Sequence, residues 1–223
     1  MQQKASFILS IMSVDELPDH IVYSGNVIEF ATVVAETCLF LEHTSEIGKD
    51  EFVEKSLKLL PLLYLKASVL DIPELVYENF PERFVTEEDY QFVREQIEQL
   101  LGNDDVYLEV FHPDMAISDT PVAAFISENL SDIYQEIKDF AANYQTADVD
   151  IMNDALAQCL TAFGEHWGQK LLNAMRALHA LKYNLQDDVD WEETHHHEDK
   201  LTRDSFLDFQ HNAEDDDLSS FLK

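Results

Sequence analysis

From Leu156 onward, apolar side chains recur at Leu160, Phe163, Trp167, Leu171, Ala174, Leu178 and Leu181, in steps of 4, 3, 4, 4, 3, 4 and 3. That is the α-helical period, and it holds one face for about seven turns. A stripe this long is stable only when it is buried against other elements. Other helices are the available partners. The chain holds only five Gly and six Pro in 223 residues, so few breakers interrupt long helical segments. Its hydrophobic share of 46% supplies enough apolar surface for a core.

The remaining helices follow from caps and periods. Ser24 caps a helix over residues 25–43 through Val27, Phe30, Val34, Cys38 and Leu41. A second runs over residues 50–69, with a kink or break expected at Pro61. Residues 72–85, with Pro73 and Pro81, read as a loop. Thr86 followed by Asp89 starts a third helix, which ends at Leu101 before Gly102. Residues 106–111 alternate as an extended segment, and one strand makes no sheet, so they read as a connector. Asp119-Thr120-Pro121 marks the start of a fourth helix reaching Tyr144. The last spans residues 149–183. The fold class is therefore all-α, an antiparallel bundle of about five helices with a disordered acidic C-terminal tail. Its organisation reads as an N-terminal extension (1–22), a bundle domain (23–186) and the tail (187–223). The helix over residues 149–183 is expected at the centre of the bundle, with Trp167 largely buried on its apolar face.

Charge narrows the function classes. The chain carries 45 Asp and Glu against 14 Lys and Arg, a net charge of −31. Such a surface repels phosphate backbones and anionic lipid, so direct nucleic-acid or membrane binding is not expected. The apolar run over residues 7–12, with only Lys4 before it, is too short for a signal peptide, and residues 59–65 are too few to span a bilayer. Cys38 and Cys159 both fall in apolar helical patterns and read as free core thiols, which suits a cytoplasmic location.

Two polar stripes are candidate sites. The last helix carries Glu165, His166, Gln169, Asn173, Arg176 and His179, able to form an acid–base pair or an anion clamp. The competing reading is a structural seam in which Arg176 pairs with a carboxylate of a neighbouring helix. The first helix places Glu29, Glu36 and His43 seven residues apart. That spacing is not the Glu-x-x-His pattern of di-metal bundles, and solvated or paired glutamates are the plainer reading. In the tail, His195-His196-His197 with Glu192 and Glu193 has ligand-like spacing, but nothing there fixes a geometry. No cofactor is indicated, because no phosphate loop, nucleophile elbow or Cys-x-x-Cys pair occurs. The tail also sets Phe206, Leu207, Phe209, Leu218, Phe221 and Leu222 among acids, a pattern suited to an apolar pocket rimmed by basic residues.

Three segments resemble a known family. They are Val27-Ile28-Glu29-Phe30 through Ala35-Glu36-Thr37-Cys38 to Leu41-Glu42; Leu59-Leu60-Pro61-Leu62-Leu63-Tyr64-Leu65-Lys66; and Trp167-Gly168-Gln169-Lys170-Leu171 through Arg176-Ala177-Leu178-His179. Ser131-Asp132-Ile133-Tyr134 fits as well. Over residues 22–184 the chain resembles domain-of-unknown-function family 5063 of the Bacteroidota. The resemblance implies a helical fold and no catalytic residue.

These readings leave an adaptor with a basic protein partner as the first expectation. The alternatives are a small-molecule-binding protein or hydrolase using the stripe around His166 and Arg176, and an acidic mimic of nucleic acid.

Overall fold

The computed structural model describes residues 19–77, 81–109 and 122–183. After a single 3₁₀ turn at Ile21–Tyr23 come α1 (Gly25–Glu42), α2 (Lys49–Ser68), α3 (Glu87–Leu101), the strands β1 (Val106–Glu109) and β2 (Val122–Phe125), and then α4 (Ile126–Tyr144), α5 (Val149–Ala162) and α6 (Gly168–Tyr183). A π turn, Phe163–Trp167, joins α5 to α6 in one helical run, so the bundle has five rods, as the sequence indicates.

The caps explain the boundaries. The Ser24 hydroxyl accepts from the Val27 amide at α1, and Asp148 accepts from the Asp150 and Ile151 amides at α5. Thr86 and Asp89 form a reciprocal capping box at α3. Pro61 produces no break, and α2 continues through it to Ser68. The proline lies on the exposed side, where the carbonyl it leaves without a donor can be hydrated.

Helix α4 is the hub. It packs on α1, α3, α5 and α6, and it buries Ile126, Leu130, Ile133, Ile137 and Phe140. This corrects the expectation that the 149–183 run sits at the centre. That run owes its long apolar face to packing on α4 and α2. Helices α2 and α4 each bridge α1 and α6. Trp167 is fully buried, as its place on the apolar face requires, and its indole N–H donates to the Cys159 carbonyl at 2.9 Å. Cys38 and Cys159 are free and buried.

Two expectations about residues 106–125 are corrected. Residues 106–109 are a paired strand, with antiparallel register Val106 to Phe125 and Glu109 to Val122. The fourth helix begins at Ile126, because residues 122–125 belong to that hairpin. The cap of α4 comes from far upstream. The buried Asp105 carboxylate accepts from the Ser127 amide at 2.7 Å and from its hydroxyl at 2.6 Å. Among the described residues no helix is long and apolar enough to cross a membrane.

Candidate functional site

Between α2 and α3, residues 69–77 and 81–86 form an extended strap held against α5 and α4. Two buried side chains of α5 pin its first part. Asp154, 1% exposed, accepts from the amides of Val76 and Tyr77, both at 2.8 Å. Asn153 donates to the Glu74 carbonyl at 2.7 Å. Burial works to raise the Asp154 carboxyl, but the two amides and the Asn153 side chain together outweigh it and hold the group below its ordinary range. Helix α4 pins the second part in the same way. Asp139 accepts from the Phe84 and Val85 amides, and Asn143 donates to the Glu82 carbonyl.

The backbone of the strap is fixed while its side chains face solvent. Ile72, Leu75, Val76 and Tyr77 are each 50–57% exposed. They continue an outward stripe of α2, Leu62, Leu65 and Val69, whose spacing puts all three on one helix face. Acids frame the strip. Asp71 and Glu74 lie within it, and the Tyr77 hydroxyl donates to Asp150 at 3.3 Å. The Asp150 charge, then partial burial, then Asp148 and Asp154 push the Tyr77 phenol above its ordinary range.

A polar seam runs along α4 where it meets α6 and the hairpin. Asp132 accepts from the Tyr90 hydroxyl at 2.9 Å and from Lys170 at 2.6 Å. Asn173 donates to Glu109 at 3.0 Å, and Asn129 donates to the Tyr107 hydroxyl. Burial pushes the Tyr107 phenol up to about 12, so it stays protonated at neutral pH. Farther along, Glu42 accepts from Tyr134 at 2.9 Å and from Lys138 at 2.5 Å. Each of these carboxylates has a donor, which is how structural polar groups inside a fold are satisfied.

One small cleft opens where Pro81, Glu82 and Arg83 pass over Glu136, Asp139 and Cys159, with room for about one water molecule. Glu136 is raised above its ordinary range, chiefly by burial, with the Arg83 and His166 charges opposing the shift. Burial also pushes the Cys38 thiol up to about 12 and raises Cys159 well above its usual value, so neither is a thiolate nucleophile at neutral pH. Among the described residues, no group of three or more His, Cys, Asp or Glu side chains converges as metal ligands.

The sequence-derived stripes lie mostly on the outside. Glu29, Glu36 and His43 are exposed on α1, with Glu29 paired to Lys66. His166, Gln169, Arg176 and His179 are exposed, and only Asn173 enters the seam. Gln169 donates to Asn173 at 3.2 Å. The two stripes do not face each other, because α2 and α4 stand between α1 and α6. Arg176 has no ion pair among the described residues, in place of the buried carboxylate partner expected of it. Phe206, Leu207, Phe209, Leu218, Phe221, Leu222 and the three tail histidines lie outside the described residues.

The sequence reading missed Asp132, Glu136, Asp139 and Asn143, which anchor the seam and strap. Their signal was a second period on α4. Asn129, Asp132, Glu136, Asp139 and Asn143 follow at steps of 3, 4, 3 and 4 among apolar neighbours.

This geometry defines a helical bundle with a pinned, apolar-faced strap. The chain belongs to the family described as Domain of unknown function (DUF5063), whose model matches residues 21–184. It is 45% identical to protein BF1032 from Bacteroides fragilis, known from a crystal structure. That similarity covers 74% of this chain and 96% of the other, with a TM-score of 0.66. No curated protein matches the chain.

Proposed function

We propose that the protein is an interaction adaptor of the cytoplasm whose strap is the docking surface for a basic protein partner. One observation carries the reading. A buried carboxylate fixes the backbone of Val76 and Tyr77 while their side chains, with those of Ile72 and Leu75, stay in solvent. Ordering a segment costs conformational entropy, and hydrophobic side chains left outside return none of it. A surface built this way is pre-organised to bury those side chains in a complex. The acidic frame sets the partner's chemistry as Leu, Ile or Phe flanked by Lys or Arg. The acidic residues 187–223, with Phe206, Leu207, Phe209, Leu218, Phe221 and Leu222, extend the same complementarity as a second contact. The two free thiols support a reducing compartment.

The test places a photo-reactive p-benzoylphenylalanine at Leu75 of the full chain in its native cells, with a matched probe at Arg176. Cross-linked peptides from the Leu75 probe should carry Lys or Arg beside large apolar residues, and the Arg176 probe should not yield them. Equal yields from the two positions would remove the strap as the docking surface.

A further inference from the structure

The strap contains a tandem repeat, and both units are held in the same way. Pro73-Glu74-Leu75-Val76-Tyr77 and Pro81-Glu82-Arg83-Phe84-Val85 align at a spacing of eight, with Pro and Glu in common. Asn153 donates to the Glu74 carbonyl at 2.7 Å, and Asp154 accepts from the Val76 and Tyr77 amides, both at 2.8 Å. Asn143 donates to the Glu82 carbonyl at 2.8 Å, and Asp139 accepts from the Phe84 and Val85 amides at 2.7 and 2.9 Å. Two helices thus make one device. An Asn takes a carbonyl, and an Asp takes the amides two and three residues beyond it. All six bonds go to main chain. The third, fourth and fifth side chains differ between the units, so the device reads backbone and tolerates what it carries.

The clamp on α5 is buried while its occupant is not. Asn153 and Asp154 are 3% and 1% exposed, whereas Glu74, Leu75, Val76 and Tyr77 all face solvent. The first unit therefore buries little surface and rests mainly on its hydrogen bonds to the clamp. A segment held this way opens locally at a free energy far below that of global unfolding. The second unit stays pinned on α4 meanwhile. An opened clamp leaves two buried polar side chains without partners, and another extended main chain restores them. We propose that the Asn153–Asp154 clamp is a peptide-binding site whose resident occupant is Pro73–Tyr77. Its ligand is an extended segment of another protein, Pro-Glu followed by any residue and two large apolar ones. The Pro lowers the entropy lost when such a segment is ordered. A second copy of the chain carries the motif too, but two copies at a net charge of −31 each repel one another. The clamp grips main chain from the bundle side, apart from the outward side chains of the docking surface.

The experiment titrates the full chain with the peptide acetyl-Pro-Glu-Leu-Val-Tyr-amide and follows the Asn153 side-chain amide by NMR. A resident unit that fills the clamp in nine of ten molecules weakens the apparent affinity about tenfold. The variant Val76→Pro, Tyr77→Pro removes both resident donors, so it should bind the peptide about tenfold more tightly than the parent. Acetyl-Pro-Glu-Arg-Phe-Val-amide should bind the variant with the same order of affinity. The first peptide N-methylated at its Val and Tyr should not bind. Three results would each overturn the site: equal binding by parent and variant, binding of the N-methylated peptide, or no binding by a variant whose circular dichroism shows a folded bundle. If the variant does not fold, the parent decides. At millimolar peptide, the effective concentration against which a tethered unit competes, its Asn153 signal should move with the first peptide and not with the N-methylated one. The same response to both, or to neither, would overturn the site. A dimer of the parent that the peptide dissociates would overturn the foreign ligand and assign the clamp to a second copy. Capture by the Leu75 photoprobe is measured without peptide, so the docking surface and the clamp can fail separately.

Discussion

Trp167 and Arg176 lie less than three turns apart in the sequence and have opposite roles. Trp167 is fully buried, lies tilted against Phe163 at 4.7 Å between ring centroids, and has its only polar side-chain atom satisfied. Trp167→Ala removes that volume from a close-packed interior and should cost ~3–5 kcal/mol in chemical denaturation. Arg176 is exposed, so Arg176→Leu should change stability by no more than about 0.5 kcal/mol in the same assay. The apolar period identified the first residue correctly. The polar stripe misled on the second, because a stripe shows which residues share a face and not what that face meets. Glu136 carries a pH signature. Its carboxyl is raised in the fold, so the folded state binds its proton more tightly than the unfolded chain does. Its contribution is therefore most favourable below the ordinary glutamate range and is lost as pH rises through the shifted value. Glu136→Gln removes that loss. The variant should match the parent in acid and show a higher thermal midpoint than the parent at neutral pH.

At the scale of elements, helices were legible and the hairpin was not. Helix signals are local, since Ser24, Thr86, Asp89 and Asp148 act on amides two or three residues away. The hairpin and the true start of α4 depend on Asp105, whose partner Ser127 is 22 residues away. No window read along the chain contains that bond. Val122-Ala123-Ala124-Phe125 also lacks the polar–apolar alternation that marks a strand. The strap was legible as a loop from its prolines, but its anchoring was not, because the carboxylates that hold it sit on α4 and α5. The π turn escaped for another reason. The apolar steps through Phe163 and Trp167 stay helical, and the extra residue is absorbed in the backbone. Gly168 marks the place. A Cβ there would meet the Phe163 carbonyl oxygen at 2.5 Å and its ring at 2.9 Å. The clash is with backbone, so it cannot be relieved by turning a side chain. Gly168→Ala should destabilise the fold by about 1–3 kcal/mol, against the usual gain from replacing glycine within a helix. Urea unfolding measures it, and a more stable variant would contradict the packing around the π turn.

For the molecule as a whole, the charge imbalance decides how salt acts, and it acts in opposite directions on folding and on binding. Ion pairs such as Lys55–Glu51 and Lys58–Glu54 are largely exposed, so each contributes little. With 45 acids and 14 bases, even complete pairing one to one leaves 31 carboxylates unmatched. Self-repulsion therefore outweighs the exposed pairs in the folded state, and added salt screens the repulsion more than it weakens the pairs. The thermal midpoint should rise as monovalent salt increases from a few millimolar to physiological strength. At the strap the sign reverses. Asp71, Glu74 and Asp150 attract a basic partner across an exposed frame, so the same salt should weaken capture, while the apolar contacts of Leu75 and Val76 remain. Midpoints and captured fractions measured across one salt series separate the two effects. A midpoint that falls with salt would mean that the exposed pairs govern stability. Capture indifferent to salt would mean that the acidic frame takes no part in recognition and that the apolar strip selects its partner alone.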